Sequence, residues 1–126
     1  MSRLLRFALV VGALATMTVA CSPSAGGSSA APSSPADVSI AAKDLAFNPA
    51  TAAVPAGRPF TIAFDNQEAA PHNIQIARDQ TFSQPLFNGE VVSSQKVNYS
   101  APALAAGTYP FRCEVHPNML GTFTAQ

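Results

Sequence analysis

The sequence has few charged residues, and they do not cluster by sign. Lys, Arg, Asp and Glu make up 11% of the 126 residues, and their formal charges cancel. Two of the seven basic residues, Arg3 and Arg6, lie at the start of the chain, so the remainder holds five basic against seven acidic residues. Nucleic-acid-binding surfaces need a basic patch or stripe. The composition therefore argues against a nucleic-acid partner.

Long apolar runs are also scarce, and the one present lies at residues 7–20. It follows a short basic start and ends before Cys21, the order expected of a secretory signal peptide over residues 1–21. A Cys at the cleavage point is typical of a bacterial lipoprotein with a lipidated Cys21, although Thr18 stands where an aliphatic residue is usual. An uncleaved anchor or ordinary cleavage before Cys21 are the alternatives.

No second run approaches the roughly 20 apolar residues of a membrane helix. We therefore expect an exported protein, periplasmic or otherwise extracytoplasmic, that meets the membrane only through a lipid on Cys21. Residues 22–36 contain only Ser, Pro, Ala and Gly, which bury too little apolar surface to fold. They predict a flexible tether with a root-mean-square reach of roughly 20 Å. Residues 37–126 are enough for one small domain.

Cysteine is equally scarce, since the chain has only Cys21 and Cys113. If Cys21 carries lipid, Cys113 is left as a lone thiol in an oxidising compartment. Such a thiol is a liability unless something occupies it. A disulfide between the two is the alternative, but a link from the tether to the end of the domain has no obvious structural purpose.

The segment 37–126 lacks any useful length of helical periodicity. Pro and Gly divide it into short runs that alternate apolar and polar side chains, such as Phe60, Ile62 and Phe64 on one face. Side chains two apart in a strand project to the same face. Short alternating runs with frequent turn signals predict an all-β sandwich or barrel.

The same alternation places two reactive side chains at strand ends. His72 shares a face with Ile74, and Cys113 shares one with Phe111. Both side chains would therefore point inward where the chain leaves the sheets. If the two strands are neighbours, the imidazole and the thiol can meet.

Three potential metal ligands lie within seven residues: Cys113, His116 and Met119. His72 stands 41 positions before Cys113. A thiolate, two imidazoles and a weakly held thioether form the ligand set of blue-copper electron-transfer sites. Cu(I) favours sulfur and low coordination, whereas Cu(II) favours nitrogen. This set is tolerable to both states, so electron transfer needs little rearrangement.

The 113–119 segment resembles the metal-binding signature of cupredoxins, and its Cys-x2-His-x2-Met spacing is most similar to the amicyanin-like group. Residues 71–74 (Pro-His-Asn-Ile) resemble the first ligand segment of that family. Residues 87–90, 107–113 and 121–124 extend the resemblance across the domain. It implies a Greek-key β-sandwich of about seven or eight strands that binds one type 1 copper ion. The ligands would be Nδ1 of His72 and His116, the thiolate of Cys113 and, axially, the sulfur of Met119.

The resemblance implies a role for Asn73 as well. Its side chain would tie the loop of His72 to the loop of Cys113, and its amide would point at the Cys113 sulfur. Val115 departs from the pattern, because amicyanin-like loops have Pro at that position. Valine retains an N–H that proline lacks, so a second amide can donate to the thiolate and raise the reduction potential.

The ligand inventory favours an electron carrier over an enzyme, because both histidines of the domain are used and none is left as a base. Copper storage or delivery is the alternative, although sites for that purpose favour several Met or two Cys. Redox partner proteins are expected to dock near His116, on an apolar rim that includes Pro71, Pro117 and Leu120, and a monomer is expected. Charged residues beside the ligands are interpreted as solvated surface: Glu68, Arg112 and Glu114.

Overall fold

The computed structural model describes residues 34–126, and that part of the chain has nine strands and no α-helix. The predicted signal peptide, Cys21 and residues 22–33 of the predicted tether lie outside the described residues. The strands are β1 (Val38–Lys43), β2 (Ala46–Asn48), β3 (Thr51–Val54), β4 (Phe60–Asn66), β5 (Gln75–Ala77), β6 (Pro85–Asn88), β7 (Lys96–Ala101), β8 (Gly107–Arg112) and β9 (Leu120–Ala125). No helix within residues 34–126 is long and apolar enough to cross a membrane.

The strands form two mixed sheets. One has the order β2-β1-β4-β7 and the other the order β3-β9-β8-β5-β6. Most neighbours are antiparallel, but β1 pairs with β4 and β3 pairs with β9 in parallel. The predicted all-β sandwich is therefore confirmed. The structure has nine strands rather than seven or eight, because β2 and β5 are only three residues long and carry little periodic signal.

Alternating burial follows the sequence pattern most clearly in β4. Phe60, Ile62 and Phe64 are each at most 2% exposed, while Thr61 and Ala63 between them are partly exposed. This inward face meets aromatic side chains of the opposite sheet, where the ring of Phe60 contacts that of Phe123 edge-on at 6.2 Å. Burial of apolar surface, to which these rings contribute, is the main favourable term for folding.

In the core beside the second sheet, two stacked aromatic rings leave no room for a side chain at position 121. Phe111 and Phe123 are fully buried and stack with centroids 4.3 Å apart. Gly121 lies opposite Phe111 in the β8–β9 pair, and a Cβ at that position would overlap the Phe111 ring. Glycine is needed here because the backbone of β9 approaches the ring closely.

The pairing of β5 with β8 sets the position of the site. These strands are antiparallel, with Gln75 opposite Arg112 and Ile76 opposite Phe111. The residues that precede β5 therefore lie beside the residues that follow β8. His72 and Cys113 occupy those two positions, so the expected meeting of the imidazole and the thiol is confirmed.

Candidate metal centre

His72 is the first residue of a segment that is buried on both faces. Its backbone forms an isolated antiparallel bridge with Val92, with both N–H···O distances 3.0 Å. All residues from His72 to Ala77 are buried, so this segment lacks the alternation of a strand that has one face in solvent. The imidazole of His72 is 0% exposed. A fully buried imidazole needs a partner for each ring nitrogen.

The loop after β8 closes on itself through two backbone hydrogen bonds. The amide of Met119 donates to the carbonyl of His116 at 2.9 Å, and the amide of Cys113 donates to the carbonyl of Met119 at 3.0 Å. Cys113 is 0% and Met119 2% exposed, whereas His116 is partly exposed. The loop therefore directs two sulfur-bearing side chains inward and leaves one edge of an imidazole accessible to solvent.

Three donor atoms converge at this end of the sandwich. The Cys113 Sγ lies 3.6 Å from Nδ1 of His72 and 3.7 Å from Nδ1 of His116, and the two Nδ1 atoms are 3.1 Å apart. The centre of that triangle lies about 2 Å from each corner, within the roughly 2.0–2.3 Å range of metal–nitrogen and metal–sulfur bonds. The donor set fits a single metal ion in trigonal coordination.

Met119, the fourth predicted ligand, is buried at 2% exposure. Its side chain belongs to the hydrophobic core together with Cys113. A thioether is a weak, polarisable ligand suited to a long axial bond to copper. The buried position of Met119 fits that role.

Asn73 links the two ligand segments as the resemblance implied. Its Oδ1 accepts a hydrogen bond from the amide of Glu114 at 2.9 Å, and its Nδ2 donates to the carbonyl of Gly89 at 2.9 Å. The side chain is fully buried, so these bonds are not exchanged with water. The predicted tie between the His72 and Cys113 loops is confirmed. The amide-to-sulfur bonds expected from Asn73 and Val115 stay predictions.

Glu68 is not the solvated surface residue that the sequence suggested. Its Oε2 lies 2.8 Å from Nε2 of His72, and its side chain is 23% exposed. The hydrogen bond with His72 is the largest cause that lowers the pKa of the Glu68 carboxyl, and amides of Leu45 and Asp44 act in the same direction against a burial penalty. An ionised carboxylate only accepts, so Nε2 of His72 is the donor. The sequence held no signal for this contact, because Glu68 lies in a loop without periodicity.

A family model described as a cupredoxin-like domain matches residues 10–125. The chain belongs to the cupredoxin family. Plastocyanin of Scenedesmus fuscus is 33% identical over 88 residues, which cover 65% of this cupredoxin and 88% of that plastocyanin. Family membership and the arrangement of His72, Cys113, His116 and Met119 identify a site for one type 1 copper ion. The predicted family and cofactor are confirmed.

Solved structures share this fold. Reduced auracyanin of Roseiflexus castenholzii superposes with a TM-score of 0.61 at 24% identity, over 71% of this cupredoxin and 95% of the auracyanin. Amicyanin of Paracoccus versutus gives a TM-score of 0.58 at 25% identity, over 75% of this chain and 86% of the amicyanin. The similarity to amicyanin agrees with the ligand-loop spacing in the sequence.

The surface beside His116 includes Pro117 of the expected rim, together with an apolar residue from another part of the chain. A depression beside His116 is lined by Leu45, Val115, Pro117, Asn118 and Met119. Leu45 is 56% and Val115 43% exposed. Leu120, which the sequence placed on this rim, lines a different depression formed with β3 and β8 residues. The turn between β1 and β2 supplies the apolar residue that sequence reasoning missed.

Proposed function

We propose that this cupredoxin is an electron carrier that works outside the cytoplasm and is not an enzyme. The observation that carries the proposal is the triangle of two Nδ1 atoms and one Sγ within 3.7 Å of one another. When bound, copper would supply the one-electron chemistry by alternating between Cu(II) and Cu(I). The ligands we assign are His72, Cys113, His116 and Met119.

The protein's own contribution is a rigid and nearly closed ligand cage. Three of the four assigned ligands are at most 2% exposed. Backbone hydrogen bonds fix the loop that carries Cys113, His116 and Met119. Such a cage would hold its ligands in place in both oxidation states and keep the reorganisation on electron transfer small. It also leaves no open position for a substrate, which catalysis at a metal needs.

Electrons would pass through the partly exposed edge of His116. This is the only one of the four assigned ligands that is not buried, and it lies in the depression lined by Leu45, Val115 and Pro117. We propose that redox partner proteins dock there. Since the depression is lined mainly by uncharged side chains, docking would depend on apolar contact more than on steering by charge.

For location, we propose export followed by lipid attachment at Cys21. The support is the sequence of residues 1–21 and the oxidising-compartment argument for Cys113. The mass of the mature N-terminus tests this directly. A diacylglycerol-modified Cys21 is expected, and an unmodified N-terminus elsewhere contradicts it.

The experiment that tests the proposed function is copper loading of the mature protein, followed by visible and EPR spectroscopy. A strong thiolate-to-copper absorption with narrow hyperfine splitting is expected. Cys113→Ser is expected to abolish the absorption, because it removes the only thiolate in the cage. An intense band that survives in the variant contradicts the ligand assignment. Rapid loss of copper to a chelator would favour storage or delivery instead.

A further inference from the structure

Glu68 is held in place through its backbone on both sides. Its N–H donates to Oδ1 of Asn66 at 2.9 Å, and its carbonyl accepts from the amide of Ser94 at 2.8 Å. Asn66 is itself 1% exposed and donates to the carbonyl of Val92 at 2.7 Å. The loop that carries Glu68 is therefore fixed to the end of β4 and to the segment before β7.

The carboxylate of Glu68 joins two further parts of the fold. Its Oε1 accepts from the amide of Asp44 at 2.9 Å, and its Oε2 accepts from the amide of Leu45 at 3.4 Å and from Nε2 of His72 at 2.8 Å. Asp44 and Leu45 form the two-residue turn between β1 and β2, because Lys43 and Ala46 are paired. One carboxylate thus connects a surface turn to a buried imidazole.

The turn adopts a conformation that its residues do not favour by themselves. Asp44 has φ 54° and Leu45 has φ 56°, both in the left-handed region. Such a backbone is unfavourable for a residue with a side chain and persists where the surroundings impose it. In this conformation both amides reach the carboxylate of Glu68. The two hydrogen bonds help to offset the cost of the turn.

For His72, the contact decides which ring nitrogen carries the proton. The two nitrogens of an imidazole are distinct, and the hydrogen bond made by one fixes the state of the other. A proton on Nε2, shared with Glu68, leaves a lone pair on Nδ1. That Nδ1 faces Sγ of Cys113 and Nδ1 of His116. The carboxylate therefore prepares His72 to act as a ligand before any metal arrives.

We propose that Glu68 is a positioning residue of the metal centre, which holds the His72 ring with Nδ1 toward Cys113 and His116 and stabilises the oxidised ion. A carboxylate on the far nitrogen makes the imidazole a stronger donor, and its negative charge favours the more highly charged Cu(II). The second effect rests on the proposed function. The first is a property of the metal-free protein. The two can be tested separately.

The metal-free test uses nitrogen-15 NMR of the imidazoles at neutral pH. In the native protein, His72 is expected as a single tautomer with the proton on Nε2. Glu68→Gln keeps an acceptor oxygen and is expected to keep that tautomer. Glu68→Ala removes the acceptor and is expected to give mixed tautomers or a mobile ring. An unchanged His72 spectrum in Glu68→Ala overturns the positioning role, whether or not the protein binds copper.

The second test measures the reduction potential of copper-loaded variants by voltammetry. Glu68→Gln is expected to change the ratio of Cu(II) to Cu(I) affinity about tenfold in favour of Cu(I), a typical effect of a residue that supports a metal ligand. That factor equals a rise of about 59 mV for a one-electron couple. Glu114→Gln is the matched control, since it removes a charge beside Cys113 but touches neither histidine. Equal shifts of the reduction potential in the two variants would mean that any lost negative charge near the metal has this effect. That result would overturn the proposal.

Discussion

The side-chain oxygen of Asn73 accepts a hydrogen bond from the backbone amide of Glu114, 41 residues further along the chain. This bond spans the gap between the segment that presents His72 and the loop that presents the other three assigned ligands. Because Asn73 also donates to the carbonyl of Gly89, it fixes three segments at one end of the sandwich. We therefore expect the side chain of Asn73 to contribute to preorganisation of the centre.

Asn73→Ala is expected to destabilise the metal-free protein by about 1–3 kcal/mol, because it leaves buried backbone groups without partners. Urea unfolding of the native protein and the variant measures the difference. Asn98→Ala is the control, since Asn98 is an exposed residue of β7 that does not contact Asn73. The control is expected to change stability by no more than about 0.5 kcal/mol. Equal losses in both variants would refute the special role of Asn73.

Much of the ligand set was readable from the sequence because three of its members are local. Cys113, His116 and Met119 lie in one short loop, so their proximity does not depend on the fold. His72 required the further step of alternation, which placed it on an inward face. The pairing of β5 with β8 then brought it to Cys113. The alternation holds at Cys113, beside the partly exposed Arg112, but it does not distinguish a face at His72, because all residues from 72 to 77 are buried.

The contacts of Glu68 and Leu45 escaped prediction for a physical reason. Both residues lie in loops, where side-chain direction follows individual dihedral angles and not a repeating pattern. Leu45 adopts a left-handed conformation that sequence rules assign to Gly or Asn. Its neighbour Asp44 contacts Glu68 across 24 positions of sequence. Only the pairing register of β1 with β2 and with β4 brings these residues together.

Gly121→Ala is expected to destabilise the protein by about 1–3 kcal/mol through overpacking. The added methyl group overlaps the Phe111 ring, which cannot move away because it is stacked on Phe123. Thermal unfolding of the metal-free protein provides the measurement. Thr124→Ala, at an exposed position of the same strand, is expected to have a smaller effect. A neutral Gly121→Ala would mean that the ring stack has room to shift.

Stability in acid is expected to depend on Asp37, just before β1. The hydrogen bond from Arg58, followed by that from the amide of Thr61, lowers the pKa of Asp37 below its usual range. A carboxyl with a lowered pKa contributes stability above its unfolded-state pKa of about 3.9 and loses it as the pH falls through the lower folded value.

Asp37→Asn removes this titration. The native protein is therefore expected to be more stable than the variant near pH 6, with the difference shrinking as the pH falls below the unfolded-state pKa of about 3.9. Urea midpoints across that range measure the effect. Arg58→Gln is expected to behave in the same direction, because it removes the leading cause of the shift. A difference that stays constant with pH would show that Asp37 acts by other means.

Leu45→Gly tests the proposed docking surface in a variant that is expected to keep its folding stability. Glycine adopts the left-handed conformation of this turn without strain, and it keeps the amide that Glu68 accepts from. The unfolding free energy is therefore expected to stay equal or rise. Electron self-exchange between copper-loaded molecules, measured by NMR line broadening, is expected to slow, because the apolar side chain beside His116 is lost. Unchanged self-exchange would place the contact surface elsewhere.

Val115→Pro is expected to lower the reduction potential. Valine at this position retains an N–H, and a hydrogen bond from it to the Cys113 thiolate would withdraw electron density from the sulfur and disfavour Cu(II). Proline has no such donor. Val115 is 43% exposed, so the ring can be accommodated without repacking the core. Voltammetry of both proteins decides the matter, with Val115→Ala as the control that shortens the side chain but keeps the amide. A potential for Val115→Pro at or above that of the native protein would exclude the Val115 amide as a donor to the sulfur.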